Sequence, residues 1–227
     1  MRPFLFAAAL WTSACASDFT PASSGAIGAT ATSSASVTPA ATSPVPAGGV
    51  RFAVASKSAA SVRVQEHLAA NLVNTDAVLT SDGIDGTITI TADGSFTADS
   101  KIVVDMTKLH SDQAFRDRWL SLFGIETAKF KTSTFVPERA IGLPAPLPAT
   151  GSWTFTLEGT LTVHGVSKAV SWNATADRNG DALTGTASTT VRWSDFGLEK
   201  PQGAVTQVVT VSDDIRLEIT FAGSQTN

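Results

Sequence analysis

Beyond residue 50, apolar and polar side chains alternate with a period of two over most of the chain. "SWTFTLEGTLTVHG" sets Trp153, Phe155, Leu157, Leu161 and Val163 on one side and Thr154, Thr156, Glu158, Thr160 and Thr162 on the other. That is the pattern of a strand buried on one face and wetted on the other. "DGIDGTITITADGSFTADSKIVVDM" repeats it, with Ile84, Ile88 and Ile90 in one strand and Ile102, Val104 and Met106 in the next. Asp93-Gly94 between them predicts a two-residue hairpin corner, because both positions of such a turn need positive φ. "KAVSWNATA" and "ALTGTASTTVRW" flank a second corner at Asn179-Gly180, and "AVTQVVTV" with "IRLEITFA" predicts a final strand pair.

One segment breaks the alternation. "SDQAFRDRWLSLF" (111–123) carries Phe115, Trp119, Leu122 and Phe123 at helical spacing, with Ser111 or Asp112 available as N-cap. The Pro-rich "PERAIGLPAPLPATG" (137–151) predicts a loop after it. The expected order is therefore several strands, one short helix, a loop and several more strands. About eight strands with one apolar face each either pack as a sandwich or close into a barrel. The distinction bears on function, since a sandwich fills its core with its own side chains and an eight-stranded barrel can hold one small ligand.

The first 50 residues have a different composition. Arg2 followed by "PFLFAAALW" reads as an export signal, too short to span a bilayer. "TSAC" places the only cysteine, Cys15, as in a bacterial lipoprotein cleavage site, although "ACA" also suits ordinary signal cleavage. In residues 16–50, Ala, Ser, Thr, Pro and Gly supply 29 of 35 positions, too little apolar surface to offset the entropy of ordering, so a disordered linker is expected. The expected organisation is a signal segment at 1–15, a linker at 16–50 and a β-domain at 51–224. An exported protein of the bacterial cell envelope is expected, held at a membrane if Cys15 is acylated.

Composition also narrows the chemistry. A net charge of −4 leaves no cationic excess for nucleic acid. His67, His110 and His164 are the only histidines and none has metal-ligand spacing. No nucleophile elbow, phosphate loop or dinucleotide fingerprint is present. His110 and Ser111 lie side by side, but catalytic partners meet through the fold, so helix capping is the simpler reading of "LHSD". His164 shares the outward phase of Thr160 and Thr162 and is expected at a strand end, facing solvent or a neighbouring loop, with Gly165 supplying the turn.

Three segments carry a resemblance. "LEGTLTVHGVSKAVSW" resembles the G-x-L-T-h-H-G-V-T-K-x-V stretch of the YceI-like proteins. "FRDRWL", with Arg116, Asp117 and Leu120, resembles their helix start, and "WSDFGL" (193–198) their R-x-D-F-G-h stretch. The resemblance implies an exported, non-enzymatic polyisoprenoid-binding protein: mainly β, an antiparallel eight-stranded lipocalin-like barrel with one short α-helix. It implies an interior that binds, stores or transports a prenyl lipid, an isoprenoid quinone or a polyprenyl phosphate, with no other cofactor. A chain of about 40 carbons, at roughly 0.3 kcal/mol per heavy atom, would bind with on the order of 12 kcal/mol. The apolar phases assign the lining to Ile88, Ile90, Ile102, Val104, Met106, Phe135, Trp153, Phe155, Leu157, Trp172 and Leu217, with Trp119 and Phe123 from the helix. Arg116 and Asp117 are read as a pair tying the helix to a neighbouring loop. A structural or adhesive sandwich on a stalk is the alternative, and a hydrolase using His110 and Ser111 a further one.

Overall fold

The computed structural model describes residues 44–68, 74–201 and 208–227. The expected signal segment with Cys15, and the linker as far as residue 43, lie outside the described residues.

The domain is one antiparallel sheet. Its strands are β1 (Val50–Val54), β2 (Ala59–Leu68), β3 (Thr75–Ser81), β4 (Ile84–Ile90), β5 (Lys101–Asp105), β6 (Thr132–Ile141), β7 (Thr150–Val163), β8 (Val166–Asn179), β9 (Ala182–Arg192) and β10 (Val208–Thr226). The order is β1-β4-β5-β6-β7-β8-β9-β10, and β10 pairs back onto β1, so the sheet closes. β1 and β2 both lie antiparallel to β10, one beyond the other, and β3 and β4 pair with them in the same way. Each of these pairs is one long strand with a break, and the ten segments make an eight-stranded barrel. At the first break the Ser58 hydroxyl takes the place of a backbone partner, donating to Ala222 O at 3.0 Å and accepting from Ala222 N at 2.9 Å. At the second, Ser81 Oγ donates to Asp105 O and Asp105 N to Gly83 O. The predicted choice between sandwich and barrel thus resolves to a barrel.

Three local expectations change. The β4–β5 connection is a ten-residue loop (91–100) and not a two-residue corner: Asp93 accepts from the Thr91 and Ser95 hydroxyls and from Ser95 N, folding the chain back so that Phe96 bridges to Ile90. The Pro-rich segment is strand as far as Ile141, with Pro137 at a bulge in the β6–β7 ladder, where its missing N–H is tolerated. Of the expected final strand pair, residues 204–207 lie outside the described residues; Val208–Thr226 form the single 19-residue strand β10, because "SDD" (212–214), between the two expected strands, is absorbed as a ladder irregularity against β2. The Asn179-Gly180 corner stands, one residue displaced: Asn179 still pairs with Ala182 and the two-residue loop is Gly180-Asp181.

The helix α1 (Ala114–Trp119) crosses one end of the barrel and continues as a π-helical turn at Leu120–Gly124. Neither Ser111 nor Asp112 is its N-cap. Gln113 holds that position, and Asp117 Oδ1 reaches back to accept from Ser111 N and Ser111 Oγ at 2.9 and 2.7 Å.

The hydroxyls and the amide gathered on Asp93 hold its carboxyl down at about 2, Ser95 being the larger contributor. A depressed native pKa supports the loop above the ordinary carboxylate range, and that support is lost as pH falls through about 2. An NMR titration is expected to place the Asp93 midpoint near this value, and Asp93→Asn to raise amide exchange in residues 91–96 at neutral pH.

Candidate ligand-binding cavity

Inside the barrel lie two apolar chambers. The larger, about 580 Å³, occupies the helix end; its walls include Val62, Val64, Leu79, Leu161, Val191 and Ile215 from the strands and Trp119 and Leu120 from the helical segment. The smaller, about 110 Å³, is lined by Ile88, Ile90, Phe155, Leu157, Leu183 and Phe221 among others. Ile102, Phe135, Trp172 and Ile219 line both and form the waist between them. There Phe135 and Trp172 meet edge to face with centroids 5.6 Å apart, a favourable aromatic geometry. Gly159, paired with Pro137 in the β6–β7 ladder, makes this possible, since a Cβ there would lie 2.8 Å from the Phe135 ring and 2.3 Å from Val136 O.

The two ends differ. At the narrow end Arg178 points inward on β8, in phase with Trp172, Ala174 and Ala176, and is buried. Its guanidinium donates to Gly180 O, Leu147 O, Pro148 O and Gln225 Oε1 and lies over the Phe52 ring, centroid 5.2 Å away. It forms the floor of the barrel. At the wide end Glu66 also points inward from β2 and is buried. Arg116 binds it at 2.6 Å and Asp112 at 2.7 Å. Arg116, the guanidinium that lines this chamber among the described residues, thus faces two carboxylates. Arg116 and Asp117 are joined through Ser111, whose hydroxyl accepts from Arg116 at 3.2 Å and donates to Asp117 at 2.7 Å, so together they tie the helix to the 111–112 segment, and Arg116 reaches on to Glu66.

Of the residues expected to line the interior, Val104, Met106, Trp119 and Leu217 face the larger chamber, Ile88, Ile90, Phe155 and Leu157 the smaller, and Ile102, Phe135 and Trp172 the waist. Two are elsewhere. Phe123 is 68% exposed, because the π turn inserts an extra residue: Ile125 N bonds Leu120 O, those two side chains turn inward, and Leu122 and Phe123 turn out. Trp153 has the inward phase but packs with Phe52, Ala176 and Leu183 near the floor, beyond the chambers. The alternation missed Leu120 and Ile125, which break helical spacing, and Trp193 and Phe196, which enter from a 3-10 turn (Trp193–Phe196). The quoted "WSDFGL" was the available signal for the last two.

Residues 52–222 match the YceI-like domain family. The chain belongs to the YceI-like domain family. A UPF0312 protein of Pseudomonas fluorescens is 36% identical over 141 residues, spanning 56% of this chain and 68% of that protein. A UPF0312 protein of Pseudomonas putida is 34% identical over the same extent. Among solved structures, a polyisoprenoid-binding domain from Saccharophagus degradans superposes with a TM-score of 0.62 at 14% identity, over 78% of this chain and 98% of that one. BcnA of Burkholderia cenocepacia superposes with 0.56 at 16% identity, over 74% and 98%.

In this YceI-like barrel the "VHGV" segment is the β7–β8 turn. His164 and Gly165 both have positive φ, 52° and 75°, as a two-residue primed turn requires. The His164 ring faces the loop after the π turn: Nε2 lies 2.8 Å from Glu126 Oε2 and the ring centroid 4.2 Å from that of Phe130. Glu126 also has positive φ, and its hydrogen bond to His164 holds its carboxyl below the usual range. The histidine pins the loop beside the cavity opening. His110 engages Lys108 O and Thr80 Oγ1, and Ser111 Oγ engages Asp117, so the adjacent His110 and Ser111 are turned to different partners. Among the described residues no cluster of three His, Cys, Asp or Glu is arranged to hold a metal.

Trp172 is 3% exposed and its buried Nε1–H has no acceptor among the described residues, whereas Trp193 Nε1 donates to Ser212 O at 3.0 Å. Trp172→Phe keeps the waist and removes the orphaned donor, so stability is expected to change by less than about 1.5 kcal/mol. Trp172→Ala joins the chambers at a cost of about 3–5 kcal/mol. Denaturant unfolding measures both.

Proposed function

We propose that this domain binds a polyisoprenoid lipid in the barrel interior without transforming it, and serves as a carrier or reservoir. The observation that carries this reading is the two-chamber apolar cavity running along the barrel from the helix end toward a floor sealed by Arg178. At about 30 Å³ per heavy atom, the larger chamber alone has room for at least about 20 atoms, or about four isoprene units. A longer chain continues past Phe135 and Trp172 into the smaller one. The curved, methyl-studded walls offer dispersion contacts along the whole chain and need no polar group for affinity. At roughly 0.3 kcal/mol per atom, the portion in the larger chamber contributes about 6 kcal/mol.

The opening favours an uncharged head group. Arg116 is the cation best placed to meet a phosphate there, and Glu66 and Asp112 already hold it. A polyprenyl phosphate would bring its charge against both carboxylates, while a quinone ring would not. An isoprenoid quinone is therefore the ligand proposed over a polyprenyl phosphate. Location in the cell envelope, with Cys15 acylated, belongs to the same proposal and rests on the N-terminal sequence alone.

Organic extraction of the protein purified from its native host, followed by mass spectrometry, is expected to recover a prenyl lipid. In thermal unfolding, added isoprenoid quinone is expected to raise Tm in proportion to ln(1 + [L]/Kd), with a prenyl phosphate of equal chain length giving a smaller rise. Extraction that yields no prenyl lipid, with no shift from either ligand, would overturn the reading.

A further inference from the structure

The apolar stripe expected on the helix is only partly used by the barrel. Trp119 turns into the larger chamber, and Phe115 lies at its rim while 55% exposed. Leu122 and Phe123, seven and eight residues beyond Phe115, are 52% and 68% exposed and touch neither chamber. A stripe of large apolar side chains thus leads from the cavity rim to the outer surface. The surrounding charge runs against the rest of the chain. Residues 106–131 hold five cations (Lys108, Arg116, Arg118, Lys129, Lys131) against three carboxylates, in a protein whose net charge is −4. The carboxylates are engaged: Asp112 with Arg116, Asp117 with Ser111 and Glu126 with His164. Arg118, one helical turn before Leu122, is exposed, as are Lys129 and Lys131, and none of the three enters an ion pair among the described residues.

We propose that this end of the barrel docks on an anionic phospholipid bilayer, with Phe115, Leu122 and Phe123 entering the headgroup–acyl boundary and Arg118, Lys129 and Lys131 meeting lipid phosphates. Short helices with bulky apolar residues on one face and flanking cations bind membranes in this way. The place of the patch gives it a purpose. A prenyl chain dissolved in a bilayer would otherwise cross water to reach the cavity, with its apolar surface exposed on the way. Docking sets the rim against the hydrocarbon, and the chain slides past Phe115 and Trp119 without being hydrated. This loading role rests on the lipid-binding reading; the docking itself does not.

The test uses the full chain carrying Cys15→Ser, so that no acyl anchor contributes, with vesicles of phosphatidylcholine alone or mixed with phosphatidylglycerol. Co-sedimentation is expected to be stronger on the mixed vesicles and to weaken with salt. Leu122→Glu/Phe123→Glu and, separately, Arg118→Ala/Lys131→Ala are expected to lower partitioning about tenfold or more. All four side chains are exposed, so Tm should hold in both variants. Uptake of an isoprenoid quinone from detergent micelles should be unchanged, while uptake from vesicles falls. Equal partitioning of the parent and both variants overturns the docking proposal. So does a chain that ignores vesicles and self-associates until Leu122→Glu/Phe123→Glu disperses it, which would make the patch an interface between copies. A parent chain that partitions normally yet takes up no quinone from micelles sinks the lipid-binding reading and leaves the docking intact.

Discussion

Closure of the sheet is the constraint from which the rest follows. Once β10 pairs with β1, the circumference of the barrel is set by backbone geometry and no longer responds to the side chains inside. An eight-stranded barrel has an interior that ordinary side chains can just fill. Here many inward positions are small: Ala60, Ala77 and Ser133 border the larger chamber, and Ala174, Ala176 and Ala187 the smaller. A sandwich with such residues would close up by drawing its two layers together. A closed barrel cannot, and the missing volume remains as space. Apolar voids are expensive to leave unfilled, by about 24 cal/mol per Å³ in core-truncation series, so a site built this way gains stability from any apolar chain that fills it.

The two ends handle buried charge in opposite ways. Arg178 is spent on the protein: three backbone carbonyls and the Gln225 amide accept from it, and Phe52 covers its face. That network binds the 142–149 loop, the β8–β9 corner and the end of β10 to one side chain, which makes a floor. At the other end, Arg116 is held by carboxylates from β2 and from the residue before the N-cap, so its bonds attach the helix to the rim. One arginine closes the barrel and the other frames its opening.

The barrel wall was legible in the sequence because period-two alternation depends only on which face is buried. Ile102, Phe135 and Leu157 follow from it directly. Their assignment to one chamber, the other or the waist did not, since that depends on position along the barrel axis, which register sets and alternation does not encode. The helix shows the limit more sharply. Helical spacing groups Phe115, Trp119, Leu122 and Phe123 on one stripe whatever lies beneath it. The π turn then sends Leu120 and Ile125 inward in place of Leu122 and Phe123. Single residues of unsuitable propensity can mark such a turn, but no residue type specifies it. The break expected between the last two strands closed for a related reason: "SDD" suits a turn, and pairing of β10 along both of its edges outweighed it.

Departures from local rules collect at one end of the molecule. The two non-glycine residues with positive φ among the described residues, Glu126 and His164, face each other there, the π turn lies beside them, and it turns Leu122 and Phe123 outward. A non-glycine residue in the left-handed region costs of order 1 kcal/mol or more, and it persists only where its surroundings hold it. The Glu126–His164 hydrogen bond and the Phe130 contact provide that hold. The narrow end, by contrast, keeps its positive φ values on glycines such as Gly142 and Gly180 and packs Trp153, Phe155 and Phe221 against the buried Phe52. Folding stability alone would favour the narrow-end solution at both ends. That the wide end instead keeps strain, greasy surface and a cavity rim together is the physical basis for the proposal that a lipid enters there.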